Sequence, residues 1–373
     1  MFPYLFVFIL NILLAYNADK MYYKSKKSKW LSLILLVILN TLFCGLRDFG
    51  IGRDTNVYVD SYFDYAMTMN STKDFIAFEE DKGFLILAYI TSLFTNNSHY
   101  LMLSTELIII LFFVLFLNKL KKLYDVDMWA YTFIFCFLYY CHSINLMRQF
   151  CAMSILLYAY MLLVENKWMT YLFLHVIAYF FHSSAIVFIF VPLIYYLNYI
   201  KSDKRKYILT FMIVLILFLS YYCYYRFLIY FSNSGIIKEI YAERYGKTGD
   251  FVNNGTGYGI RYYLSYLLLP IFSIYLSYKN NLFNKKDIYI SISLLLIYLC
   301  FDRLGVIMSY MNRLAFYIAI VYYIYIAKIL ASPKIVLIIK ILFICIYINY
   351  WYHLFIELNG GNVYPYSSKI LGL

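Results

Sequence analysis

The chain has 373 residues, of which 64% are hydrophobic and 14% charged, with a formal net charge of +12 and a mean hydropathy of +0.69. A soluble domain carries about 25% charged residues, so a water-soluble globular protein is excluded. A nucleic-acid binder is excluded as well, because the lysines stand in short clusters between apolar runs and form no basic stripe interleaved with aromatics.

The apolar runs are each close to the roughly 20 residues that cross a bilayer. They lack the alternating polar and apolar faces of a soluble helix. In hydrocarbon every backbone group must be paired internally, and runs this long and continuous do so as helices. The chain is therefore predicted to be all-α and polytopic, a single integral membrane domain over 1–373. In chain order the expected helices cover 4–18, 30–46, 99–118, 127–142, 147–164, 168–181, 184–199, 207–228, 259–278, 288–302, 306–330 and 335–357, about twelve crossings. The first run lacks a basic leader, and a lysine cluster rather than a cleavage site follows it, so it reads as a span. Short loops rich in Lys and Arg stay cytoplasmic. Placing Lys20–Lys29, Lys119–Lys122, Lys201–Lys206, Lys279–Lys286 and Lys328 with Lys334 inside, together with the less basic turn Glu165-Asn166-Lys167, gives one consistent alternation, with both termini outside. Two longer polar stretches then fall outside. One is an external loop over 47–82, continued by 83–97, which is too short to span and reads as an interfacial helix. The other is an external loop over 229–259, with Glu239, Glu243, Arg244, Lys247, Asp250 and a Gly/Asn-rich turn at 253–257. The seven cysteines show no CxxC and no Cys/His metal spacing, and read as buried thiols.

The ionisable residues nearest the helix ends gather on the side opposite the lysines. They are Arg47, Arg53 and Asp54 in the first outer stretch, and Arg148, His182, Arg303 and Arg313 farther along. An arginine near membrane depth is costly and faces a cavity or a partner. Several at one mouth point to a pocket for a multiply charged anion, and phosphate or pyrophosphate suits the planar guanidinium fork. Plainer readings stay open at this point. Arg148 and Arg313 snorkel to the interface or pair with a local carboxylate, Asp54 pairs with Arg53 or Arg47, and His182 is satisfied by a carbonyl. The nearest match to an Asp-x-Asp metal site, Asp125-Val126-Asp127, lies in an expected cytoplasmic turn, so no metal or cofactor is expected.

The stretch Gly45-Leu46-Arg47-Asp48-Phe49-Gly50-Ile51-Gly52-Arg53-Asp54-Thr55-Asn56-Val57-Tyr58 resembles the signature of the EpsG family, although Arg53 stands where a small or variable residue is expected. Further resemblances follow in order: Gly83-Phe84 after the acidic Glu79-Glu80-Asp81, Arg148-Gln149-Phe150-Cys151-Ala152 at a helix start, Phe181-His182-Ser183-Ser184-Ala185 at a turn, Asn312-Arg313-Leu314-Ala315-Phe316-Tyr317, and Tyr364-Pro365-Tyr366. The family is similar to Wzy-type polymerases of O-antigen, capsule or exopolysaccharide. The resemblance therefore implies a GT-C-like glycosyltransferase architecture in the bacterial cytoplasmic (inner) membrane, with the active site facing the periplasm or exterior. It implies an undecaprenyl-pyrophosphate-linked oligosaccharide as substrate, and as partners the membrane lipids and the flippase and chain-length regulator of the same pathway. In that chemistry Arg47, Arg148 and Arg313, with Arg53 and Arg303 as further members, would hold the pyrophosphate. Asp54 and His182 would serve as base or position the acceptor, with Glu79 and Glu80 as outlying alternatives. Two other classes compete. A lipid-linked oligosaccharide transporter calls for an internal repeat and charges along a mid-membrane path, whereas no clear repeat is visible and the charges cluster toward one face. A membrane O-acyltransferase calls for an acyl-donor site, which His182 alone does not decide.

Overall fold

The computed structural model describes residues 1–78, 81–233, 259–305 and 310–373. Glu79, Glu80, Glu239, Glu243, Arg244, Lys247, Asp250 and the turn at 253–257 lie outside the described residues. Among the described residues the regular structure is entirely helical, and eight helices are long and apolar enough to cross a membrane: Phe2–Met21, Lys26–Gly45, His99–Tyr124, Met147–Val164, Ile260–Lys279, Lys285–Gly305, Asn312–Ala331 and Leu337–Glu357. Shorter apolar helices cover Lys82–Ser92, Trp168–Phe181 and Ser183–Leu197. At 1.5 Å per residue, the 14 residues of Trp168–Phe181 reach roughly 21 Å, short of a hydrocarbon core of about 30 Å. The expected segment 127–142 is helical but broken by a π turn, Met128–Ile134, Phe135–Tyr139 and Tyr140–Asn145, and 207–228 lies within Asp203–Asn233.

The chain divides into two compact units, 1–186 with 327–373, and 187–326. In the first, buried polar pairs tie apolar helices together. Asn11 and Asn40 exchange amide hydrogen bonds of 2.8 and 2.7 Å between Phe2–Met21 and Lys26–Gly45, of the kind that glues helices in lipid. Asp19 accepts from the Met128 and Trp129 amides at 2.9 and 3.0 Å, so a carboxylate from one helix caps the N-terminus of another. Asp125 and Asp127, the Asp-x-Asp match, both bind Lys121, at 2.7 and 2.8 Å.

The stretch expected as a polar loop is largely helical. A π turn at Thr55–Val59 leads into Asp60–Thr68 and then Thr72–Ala77, ahead of the helix Lys82–Ser92, which falls on the short helix expected over 83–97. The reason is an apolar face beneath the charges. Val59, Tyr62, Phe63 and Ala66 recur at i, i+3, i+4 and i+7 and bury against Phe84, Leu85, Ala88, Leu101 and Met102. Ser71 and Asp74 form a capping box that starts Thr72–Ala77. The C-terminal segment clasps the turn before this region. The Ser367 carbonyl accepts from the Asp48 amide, and the Asn362 carbonyl from the Gly52 amide. Tyr366 stacks on Phe43 with centroids 4.1 Å apart. Gly52 has φ +89°, and a Cβ there would meet the Ile144 carbonyl oxygen at 2.9 Å, so only glycine fits.

In the second unit, Asp203–Asn233 and Phe190–Leu197 pack on Lys285–Gly305. Tyr262 stacks on Tyr266, which stacks on Tyr298, and Tyr262 donates its hydroxyl to buried Asp302.

Candidate functional site

A close approach of two helices builds the site. At Gly83 the start of Lys82–Ser92 meets the end of Trp168–Phe181. A Cβ on Gly83 would lie 2.7 Å from the Phe180 carbonyl carbon and 2.8 Å from the Phe181 nitrogen. Only a residue without a side chain permits this contact. The contact brings Asp81, just ahead of one helix, to His182, just past the end of the other.

Asp81 is the hub. Its Oδ2 accepts from Arg148 Nη1 at 3.0 Å and bonds His182 Nδ1 at 2.9 Å. Its Oδ1 accepts from the Ser183 amide at 3.3 Å. The Asp81 and Arg148 side chains are each 11% exposed. Arg148 also donates to the Tyr62 hydroxyl at 2.7 Å, and its guanidinium lies 3.6 Å from the centroid of the Tyr58 ring, within cation–π range. Arg148 is the second residue of Met147–Val164. A cation there opposes the helix dipole, which favours acids at that end, so Arg148 is not placed for the sake of its own helix.

Asp81, Arg148, His182, Ser183 and Tyr58 line a cavity of about 420 Å³ together with Lys82, Tyr179 and Phe180. Arg148 and Lys82 outnumber the one carboxylate, Asp81, among the lining residues, which favours an anionic ligand. An ionised Asp81 can only accept hydrogen bonds, so it selects the His182 tautomer with hydrogen on Nδ1 and leaves Nε2 as the basic nitrogen.

Of the residues expected from sequence, the structure brings Arg148 and His182 together, with Asp81 between them. Arg47 is placed elsewhere. It is 1% exposed, and its guanidinium is turned inward onto the carbonyls of Cys44, Ile51 and Ile144 and the Thr55 hydroxyl, the last three at 3.2, 3.0 and 3.1 Å. It straps the turn after Lys26–Gly45 to the end of Tyr140–Asn145 and is not among the residues that line the cavity. Arg53 is exposed, and its amide donates to Asn145 Oδ1 at 2.9 Å. Asp54 is half-buried at the start of the π turn Thr55–Val59 and is not among the cavity-lining residues. Arg303 and Arg313 belong to the other unit. Arg303 pairs with Asp302 at 2.6 Å, and Arg313 is exposed.

Sequence reasoning passed over Asp81, Lys82 and Tyr58. The signal for Asp81 was its position: an acid two residues before a glycine that opens an apolar run.

A family model described as the EpsG family matches residues 29–368, nearly the whole chain. No curated protein and no solved structure matches it.

Proposed function

We propose a function from one premise: the chain belongs to the EpsG family. It is a membrane polysaccharide polymerase that moves a growing glycan from undecaprenyl pyrophosphate onto the next lipid-linked repeat. With the lysine-rich loops inside, the reaction takes place at the outer face of the bacterial cytoplasmic membrane. The observation that carries this reading is Asp81, bound at once to Arg148 and His182 at the wall of the cavity.

The acceptor is a sugar hydroxyl. His182 Nε2 takes its proton as the oxygen bonds to the anomeric carbon of the donor. The bond from that carbon to the pyrophosphate oxygen breaks, and the pyrophosphate leaves with the electron pair. Asp81 orients the imidazole and stabilises the imidazolium that forms. Arg148 and Lys82 offset the charge that grows on the leaving group, and fixed cations of this kind are often the largest single catalytic contribution. Tyr58, against the guanidinium, holds Arg148 in place and limits its rotamers.

The test is in vitro: purified protein with a synthetic polyprenyl-pyrophosphate repeat unit. Chain extension with release of polyprenyl pyrophosphate is expected. His182→Ala and Asp81→Asn are each expected to lose roughly 10²- to 10⁴-fold in rate while remaining folded. Wild-type rates in both variants would remove the base assignment. Acyl transfer to the repeat without extension would overturn the polymerase reading.

A further inference from the structure

The span Leu337–Glu357 is the least enclosed of the eight: 22% of its apolar window is buried, against 33% or more in each of the others. Phe343, Tyr347, Tyr350 and Trp351 face inward. The opposite face carries Ile338, Leu342, Cys345, Asn349 and Tyr352, all exposed. Their spacing of four, three, four and three residues is that of the seam between two coiled helices. The apolar members of the seam sit well against lipid, but Asn349 does not.

At 1.5 Å per residue Asn349 lies roughly 18 Å from Leu337 and roughly 12 Å from Glu357, inside a hydrocarbon core of about 30 Å. Its carboxamide has no hydrogen-bond partner among the described residues. Hydrocarbon offers none, so the group carries a desolvation cost until a partner meets it. Asn11 and Asn40 show how this chain meets the same need, by exchanging two amide hydrogen bonds between neighbouring helices. A carboxamide both donates and accepts. Asn349 is therefore complementary to another copy of itself, whereas an unrelated helix would have to bring a polar group to the same depth.

We propose that this face of Leu337–Glu357 joins two copies of the chain as a dimer. Copies inserted with one orientation are related by a two-fold axis along the membrane normal, which sets each residue at the depth of its counterpart. The two helices then pack in parallel along the seam. Asn349 exchanges two hydrogen bonds with the partner's Asn349, and Cys345, one turn away, meets the partner's Cys345. A single asparagine in an otherwise apolar seam fixes both register and the number of helices.

Among the described cysteines Cys345 alone is exposed, which makes it a native reporter. The full chain is reconstituted in lipid vesicles and treated with iodine, which takes two electrons from a pair of thiols as their disulfide forms. A cross-linked dimer is expected, and Cys345→Ser should abolish it. Ile9→Cys in the Cys345→Ser background puts a thiol on the exposed face of another span and is expected to give no cross-linked dimer. Energy transfer between separately labelled copies, followed as added lipid dilutes the protein, measures the association itself. Asn349→Leu keeps the exposed face apolar and is expected to weaken association roughly tenfold with no fall in unfolding temperature. Energy transfer at the level of random collision, undiminished association in Asn349→Leu, or equal cross-linking through Ile9→Cys would each overturn the proposal. So would cross-linking of Cys345 in native membranes to another protein and never to a second copy.

Discussion

Replacing Gly83 by alanine is expected to part Asp81 from His182 without altering either residue. The added Cβ falls 2.7 Å from the Phe180 carbonyl carbon, 2.8 Å from its oxygen and 2.8 Å from the Phe181 nitrogen. All three obstacles are backbone, so no side chain can turn away. Carbon atoms pack no closer than about 3.5 Å, so the two helices must separate by roughly 0.8 Å. The Asp81–His182 hydrogen bond is 2.9 Å long. The same displacement carries it to roughly 3.7 Å, outside hydrogen-bond range. Overpacking of this kind costs about 1–3 kcal/mol in stability. A misplacement approaching 1 Å costs on the order of a hundredfold in rate. The assay pairs chain extension by purified protein with thermal unfolding in detergent. Gly50→Ala is the control, because a Cβ there meets nothing within 4 Å. Gly83→Ala should lose about a hundredfold in turnover, and Gly50→Ala should lose neither turnover nor stability. Wild-type turnover in Gly83→Ala would refute the claim that the backbone contact holds the two residues in register.

Arg47 and Arg148 are expected to fail differently. Arg47→Ala strips a charged donor from three buried carbonyls and should destabilise by about 3 kcal/mol or more, seen as lowered abundance and unfolding temperature. Arg148→Lys keeps the charge but loses the planar stack on Tyr58; it should accumulate normally and make short glycan chains, and normal-length chains would remove Arg148 from the pyrophosphate. Glu165 lies among Lys119, Lys122 and Lys167 at 2.5, 3.4 and 2.9 Å. Burial pushes its carboxyl up, but hydrogen bonds and charge from Lys119 and Lys167 outweigh that and hold its pKa at about 2. A depressed folded-state pKa contributes stability in full above the unfolded value near 4.5, and loses it as pH falls toward 2. Unfolding midpoints at pH 5 and pH 3 should therefore differ less in Glu165→Gln than in the wild type, and parallel shifts would contradict this. For orientation, an impermeant thiol reagent applied from outside should label Val57→Cys, whose parent residue is 58% exposed, and spare Lys201→Cys; the reverse pattern inverts the topology.

How much of this was legible in the sequence depends on what each residue answers to. Helix type and approximate bounds were readable because they depend on local apolarity, which is a property of neighbours in the chain. The short helices of 60–77 were not, because charges at Asp60, Asp64 and Asp74 drew attention from the buried face of Val59, Tyr62, Phe63 and Ala66. Arg148 and His182 stood out as costly groups at helix ends. Asp81 did not, because it follows Glu79 and Glu80 and three adjacent carboxylates look alike. Only a contact across 101 positions selects it.

Arg47 shows most clearly where reasoning from residue type stops. An arginine at membrane depth must have its charge answered, and the sequence reveals the need without revealing what answers it. At Arg47 the answer is three carbonyls, Cys44 and Ile144 near helix ends and Ile51 in the bend between, so the charge is spent on the fold. At Arg148 the answer is a carboxylate shared with a histidine, on the wall of a cavity. Backbone carbonyl oxygens are fixed acceptors that the fold itself needs satisfied. A carboxylate already divided between two partners can release one of them to a stronger anion. The second arrangement is therefore the one able to exchange its partner for a substrate, and the difference between the two lies in the acceptor, not in the arginine.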